Sequence, residues 1–183
     1  MKTPTLTKIF LLLALIAVTS TGCDKAKDLL DVKFDADFKT NLDIDNQAET
    51  SRNATGAFYA EATIDPKSNS DFAEYGSKIK DIEIKEVNAT VTAINTETIL
   101  ETAVITVASG GMTNAIWNFT NETLTVGKKL TLDNANGQWD NVRAMLNAQN
   151  AFTVSMAGTA DQDNVKYTLL IEIKTRVTAN PLN

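Results

Sequence analysis

Cys23 is the one cysteine in the chain, and its thiol is the most reactive group the sequence offers. Two chemistries are open to a lone exported thiol. It can stay free, or it can be alkylated and carry lipid. The other reactive groups are carboxylates. Asp31, Asp35, Asp37, Asp43 and Asp45 alternate with other residues in one stretch. Asp133-Asn-Ala-Asn-Gly137 has the outline of a calcium loop, and Asp161-Gln-Asp163-Asn164 is a second acidic cluster. A pair of carboxylates at a set separation is all that a glycosidase needs. Exposed aromatic rings can stack on sugars, and the candidates are Trp117, Trp139, Tyr59 and Tyr75. The chain has no histidine. That removes Ser-His-Asp and Cys-His catalysis and the histidine-based zinc sites.

The residues around Cys23 decide its chemistry. Lys2 and Lys8 flank the start of the unbroken apolar run Ile9–Val18, and the small residues Thr19-Ser-Thr-Gly22 follow. This is the order of a secretory signal peptide. The run is shorter than the ~20 residues of a membrane-spanning helix. Cleavage by an ordinary signal peptidase near Thr19–Gly22 would leave a free thiol. The alternative resembles the bacterial lipoprotein pattern, in which the Cys after a small residue takes a diacylglyceryl group and becomes the new chain start. Thr21 and Gly22 match that pattern, and Ser20 stands where it usually has Leu. The favoured expectation is lipidation of Cys23. Each buried methylene contributes about 0.8 kcal/mol, and two or more acyl chains hold a protein stably on a bilayer. Residues 1–22 are then the signal peptide, 23–29 a polar tether, and 30–183 one domain.

Losing residues 1–22 removes two lysines and no acids, which moves the net charge from −6 to −8. That balance argues against nucleic acid, which needs a basic footprint. A domain of this length buries enough surface to fold without a disulfide or metal.

The acids need elements to place them. In Leu30–Asp45 the even positions are mostly apolar and the odd positions are Asp, Lys or Asn. Strict alternation predicts a strand with one buried and one wet face. Its length predicts that it bends, or that it breaks near Thr40 and continues in the second sheet. Acids at period two are spaced by about 6.6 Å, whereas calcium needs about six to eight converging oxygens. The ladder is therefore read as a solvated face balanced by Lys33 and Lys39. The loops at Asp133 and Asp161 are read as turns.

Further strands are expected at Ala54–Ile64, Lys80–Ile94, Ile99–Ala108, Ala115–Thr120 and Leu124–Val126. In Lys80–Ile94 the apolar parity changes between Ile84 and Val87, which predicts a β-bulge at Lys85-Glu86 or a change of sheet. Ile99–Ala108 is apolar on both parities and is expected to be central. Ala151–Gly158 and Val165–Val177 are expected to form a hairpin. Short helices are expected at Ser68–Ile79, capped by Ser68 or Ser70, and at Gln138–Ala148, with Trp139, Val142, Met145 and Leu146 facing inward. Seven or eight strands with turns between them predict a mainly β, two-sheet antiparallel sandwich with two short helices. Trp117 and Trp139 are expected in the core, and Tyr59 falls on a wet face. The Asn-x-Thr triplets at Asn53, Asn88, Asn118 and Asn121 are read as chance.

The export segment to Cys23, the run Ser77-Lys-Ile-Lys-Asp-Ile-Glu-Ile-Lys-Glu-Val87 and the ending Phe152-Thr-Val-Ser-Met-Ala-Gly-Thr-Ala160 to Val177 together resemble the small envelope lipoproteins of Bacteroidota-type Gram-negative bacteria. The resemblance implies an immunoglobulin-like sandwich displayed from an envelope membrane, with the outer membrane expected. It supplies no catalytic, cofactor or metal residue. The expected role is non-enzymatic binding, adhesion or scaffolding, with no cofactor and no metal. The partners expected are the membrane, through lipid on Cys23, and an unidentified protein or glycan. A carbohydrate-binding accessory module is the alternative, and a carboxylate-dependent hydrolase is a weaker one.

Overall fold

The computed structural model describes residues 30–46 and 56–182. Cys23, with the expected signal segment before it and the expected tether to residue 29, lies outside the described residues. The strands are β1 (Val32–Asn46), β2 (Ala57–Ile64), β3 (Ile79–Ile94), β4 (Thr98–Ala108), β5 (Ala115–Leu124), β6 (Lys129–Thr131), β7 (Phe152–Ala160) and β8 (Val165–Ala179). They form two four-stranded antiparallel sheets, in the orders β1-β8-β3-β6 and β2-β7-β4-β5. Their inner faces make one hydrophobic core, and the expected β-sandwich is what forms.

The alternation in β1 does what its period demands. Ala36, Phe38, Leu42 and Ile44 are buried, and the odd positions between them are exposed. The expected break near Thr40 does not occur. β8 is equally long and alternates throughout. The two pair without a register shift from Val32↔Ala179 to Asn46↔Val165. A change of sheet would need an inserted residue, and neither strand has one.

β3 does contain inserted residues. Its register against β8 shifts between Ile84 and Glu86, as the parity change predicts, and again near Ile79 and Val91. The first bulge puts Ile82 and Ile84 on the same buried side as Val87, Ala89 and Val91. β4 is central, between β7 and β5.

Three expectations are corrected. β7 and β8 are not a hairpin, because they lie in different sheets, and Asp161–Asn164 carries the chain across the sandwich. β5 does not end before Leu124. Asn121 takes a left-handed φ of 56° inside the strand and absorbs the irregularity without a turn. The first helical segment is broken into α1 (Ser70–Tyr75) and two flanking 3-10 turns, and its cap is Asn69, not Ser68 or Ser70. The Asn69 side chain accepts from the Phe72 N–H at 3.0 Å, which satisfies a free helix donor.

α1 seats Phe72 edge-on against Phe38 and stacks Tyr75 on Phe34, so it seals the sandwich beside β1. The second helix, α2 (Gln138–Asn147), lies against β3 and β5 and buries Val142, Met145 and Leu146. Trp139 packs against the core, and its indole N–H donates to Leu132 O at 2.7 Å. Among the described residues no helix is long and apolar enough to cross a membrane.

Candidate functional site

The acidic ladder meets its balancing charges mainly on β8, the strand beside it. Arg176 pairs with Asp35 at 2.9 Å, Lys166 with Asp45 at 2.7 Å, and Thr168 Oγ1 donates to Asp43 at 2.7 Å. Lys39 reaches both Asp37, at 3.9 Å, and Glu172 of β8, at 2.7 Å. Asp31 pairs with Lys80 of β3 at 2.9 Å. Among the described residues no three His, Cys, Asp or Glu side chains converge as a metal site.

The loop acids are occupied by donors of this same fold. Asp133 Oδ1 accepts from Ala135 N at 3.2 Å, and Asn134 Oδ1 accepts from Trp139 N at 2.9 Å, so this loop caps α2. Asp161 Oδ1 accepts from Thr98 Oγ1 at 2.6 Å and Ile99 N at 3.0 Å. Asp163 Oδ1 accepts from Gly56 N at 2.6 Å.

The outer face of the first sheet is a charge network centred on Glu86. Lys174 lies 2.9 Å from one of its oxygens and Lys129 3.3 Å from the other. Lys174 also reaches Glu172, at 3.3 Å. These lysines, Lys174 first, hold the Glu86 carboxyl at about 2, well below its ordinary 4.5. The Asn88 amide below it assists, although its nitrogen is buried without a well-formed hydrogen bond. Glu172 is lowered by Lys39, Asp35 by Arg176, and Glu83 by Lys85.

A carboxylate whose folded pKa lies below its unfolded one adds stability above the unfolded value and loses it as pH falls toward the folded value. The fold is therefore expected to weaken between about pH 4.5 and pH 2, the window set by Glu86. Because these groups are exposed, added salt is expected to shrink the effect. Urea midpoints at pH 7 and pH 3 check it. Glu86→Gln should show a smaller drop than the native chain, and equal drops would exclude this network as the cause.

The outer face of the second sheet has the opposite character. Strand register sets three rows across it. The central row is Tyr59, Ala157, Val104 and Asn118. One flanking row is Glu61, Ser155, Thr106 and Ile116, and the other is Ala57, Thr159, Thr102 and Thr120. Glu61 is the one charged side chain in these rows. Tyr59 is 63% exposed, and its hydroxyl donates to Glu61 Oε2 at 2.5 Å. Val104 and Ile116 are 36% and 43% exposed.

At the β5 end, a cleft of about 340 Å³ is lined by Ile116, Asn118, Phe119, Thr131, Asp133 and Asn136 among others. Trp117 also lines it and is 4% exposed; its indole N–H donates to Asp133 O at 2.7 Å. A second cleft, about 470 Å³, lies between Asp43, Asp45, Ile94 and Lys166. Its acids are neighbours on one strand and are already engaged by Thr168 and Lys166.

Of the aromatic candidates, the structure buries Trp117, packs Trp139 and Tyr75 against neighbours, and leaves Tyr59 in solvent. The charge-poor rows and the cleft are what motif reasoning missed. The signal was present between the apolar positions of β2, β4, β5 and β7, which hold mostly Thr, Ser, Ala or Asn where β1 holds Asp and Lys. No protein-family model and no curated protein sequence matches this chain.

Proposed function

We propose that the protein is an envelope lipoprotein, held on a membrane by acyl chains on Cys23, whose sandwich domain binds a partner without catalysing a reaction. The anchoring half rests on the order basic start, apolar run, small residues and Cys23. The observation that carries the binding half is the contrast between the two outer faces. One is neutralised by its own cross-strand ion pairs. The three rows of the other hold one charged side chain, Glu61, and leave Tyr59, Val104 and Ile116 in solvent. A surface that contributes nothing to its own charge balance and exposes apolar groups is suited to contact with something else.

The non-enzymatic reading draws on the carboxylates. A general acid needs a raised pKa, and each described carboxylate with a displaced pKa is displaced downward. Metabolic labelling with an alkyne fatty acid tests the anchor. Label is expected on the native chain and none on Cys23→Ala, which should also leave the membrane fraction. An unlabelled native chain, or label that survives Cys23→Ala, removes the proposal.

A further inference from the structure

We propose that the nearly uncharged face of the second sheet binds an extended, uncharged glycan, which lies along the row Tyr59–Ala157–Val104–Asn118 with one end at the cleft beside Asn118. The inference rests on the binding reading above and names its ligand class. Three features carry it.

The first is the ring. Tyr59 stands on the face with Ala57 two residues before it on the strand and Ala157 directly across, both too small to shade it. The hydrogen bond to Glu61 ties the far end of the ring down, so little side-chain freedom remains to be lost on stacking. Glu61 keeps its second oxygen to accept from a sugar hydroxyl.

The second is the layout. Apolar atoms form a strip one residue wide that crosses three strands, about 9–10 Å at the usual strand spacing, and the Asn118 amide continues the row on the fourth. On either side run short hydroxyl side chains: Ser155 and Thr106 on one flank, Thr159, Thr102 and Thr120 on the other. A sugar chain has the matching pattern, with C–H faces that stack and hydroxyls at its margins. A protein hot spot instead wants a broad desolvated centre inside a polar rim.

The third is charge. The chain carries a net charge of −6, and the three rows hold no Lys or Arg. A polyanion gains nothing here, and the carboxylates at hand, Glu61 on the face and Asp133 in the cleft, already accept from Tyr59 and from Ala135 N. An uncharged ligand is the class the face does not penalise. At the end of the strip the amides of Asn118 and Asn136 and the hydroxyl of Thr131 supply donors and acceptors in a concave wall.

The test is affinity electrophoresis of the full-length protein in detergent, through gels containing a neutral glucan, mannan or galactan, beside gels with the carboxymethylated form of each. Retardation is expected in at least one neutral gel and not in its anionic form. Tyr59→Ala and Asn118→Ala should each weaken it at least about tenfold, with urea midpoints unchanged because both sites are exposed. No retardation in any neutral gel, or retardation that both variants keep, overturns the inference. A photo-cross-linking residue placed at Val104 in growing cells separates the two levels. A trapped protein, with silent gels, overturns the glycan and leaves the binding reading standing. Silent gels with no trapped partner overturn both.

Discussion

Replacing Asn46 by alanine is expected to lower the stability of the fold by about 2–4 kcal/mol, through groups left buried without partners. Asn46 is the last residue of β1 and is 2% exposed. Its Nδ2 donates to Gln162 O at 3.0 Å and Gly56 O at 3.3 Å, and its Oδ1 accepts from Val165 N at 2.7 Å. One amide thus joins the end of β1 to the start of β2 in the other sheet and to the crossover before β8. Gly56 O keeps a second donor, Ala160 N, so the main losses fall on Gln162 O and Val165 N. Asn46→Asp is expected to be worse at neutral pH, because it loses the donor and sets a buried anion against two carbonyl oxygens. Urea unfolding measures both, with the m-value held as the check that only stability has changed. A loss below about 1 kcal/mol for alanine would mean that the amide is not the tie between the sheets.

Gly158→Ala is expected to cost at least about 3 kcal/mol, or to prevent soluble folding. Gly158 lies in β7, between Phe58 of β2 and Ala103 of β4. A Cβ there would stand 2.1 Å from Thr102 O, 2.8 Å from Phe58 Cζ and 2.9 Å from Ala103 Cα. The carbonyl belongs to a paired central strand and cannot retreat without opening the β4–β7 ladder. The close approach accompanies the register shift between Leu100 and Thr102, where β4 bulges. Gly110→Ala is the control, since nothing lies within 4 Å of its added carbon; it is expected to stay within about 0.5 kcal/mol of the native chain. Equal stabilities for the two variants would contradict the packing described here.

Much of this fold is legible in the order of the residues. The alternation from Leu30 to Asp45 names both the buried and the wet face of β1. The parity change between Ile84 and Val87 locates a bulge, because an inserted residue is the way to keep both apolar sets inward. Strand pairing is harder to read. The chain after β7 reads as a hairpin because Asp161–Asn164 has turn composition. Composition fixes that the chain turns, not which sheet it enters. The ties that decide it, Asn46 to Val165 and Asp163 to Gly56, span more than 100 residues of sequence. β1 stays whole for the same reason: its partner's length decides, not its own.

The site was partly legible as well. Tyr59 is picked out by its parity in β2 as the exposed ring. Its setting is not, because Ala157, Val104 and Asn118 become its neighbours only through the register of three other strands. A face defined by missing charge also offers no motif to find. It becomes visible when the second sheet is set beside the first, where Glu86, Glu172 and Lys174 are paired off.

The central claim is that a thiol turned thioether fixes this sandwich to a bilayer, and mass spectrometry of the N-terminal peptide from cell membranes tests it most directly. The account predicts a chain that starts at Cys23, with the mass of a diacylglyceryl group on that residue. Recovery of the protein from the cytosol with residues 1–22 still attached and an unmodified Cys23 would contradict it.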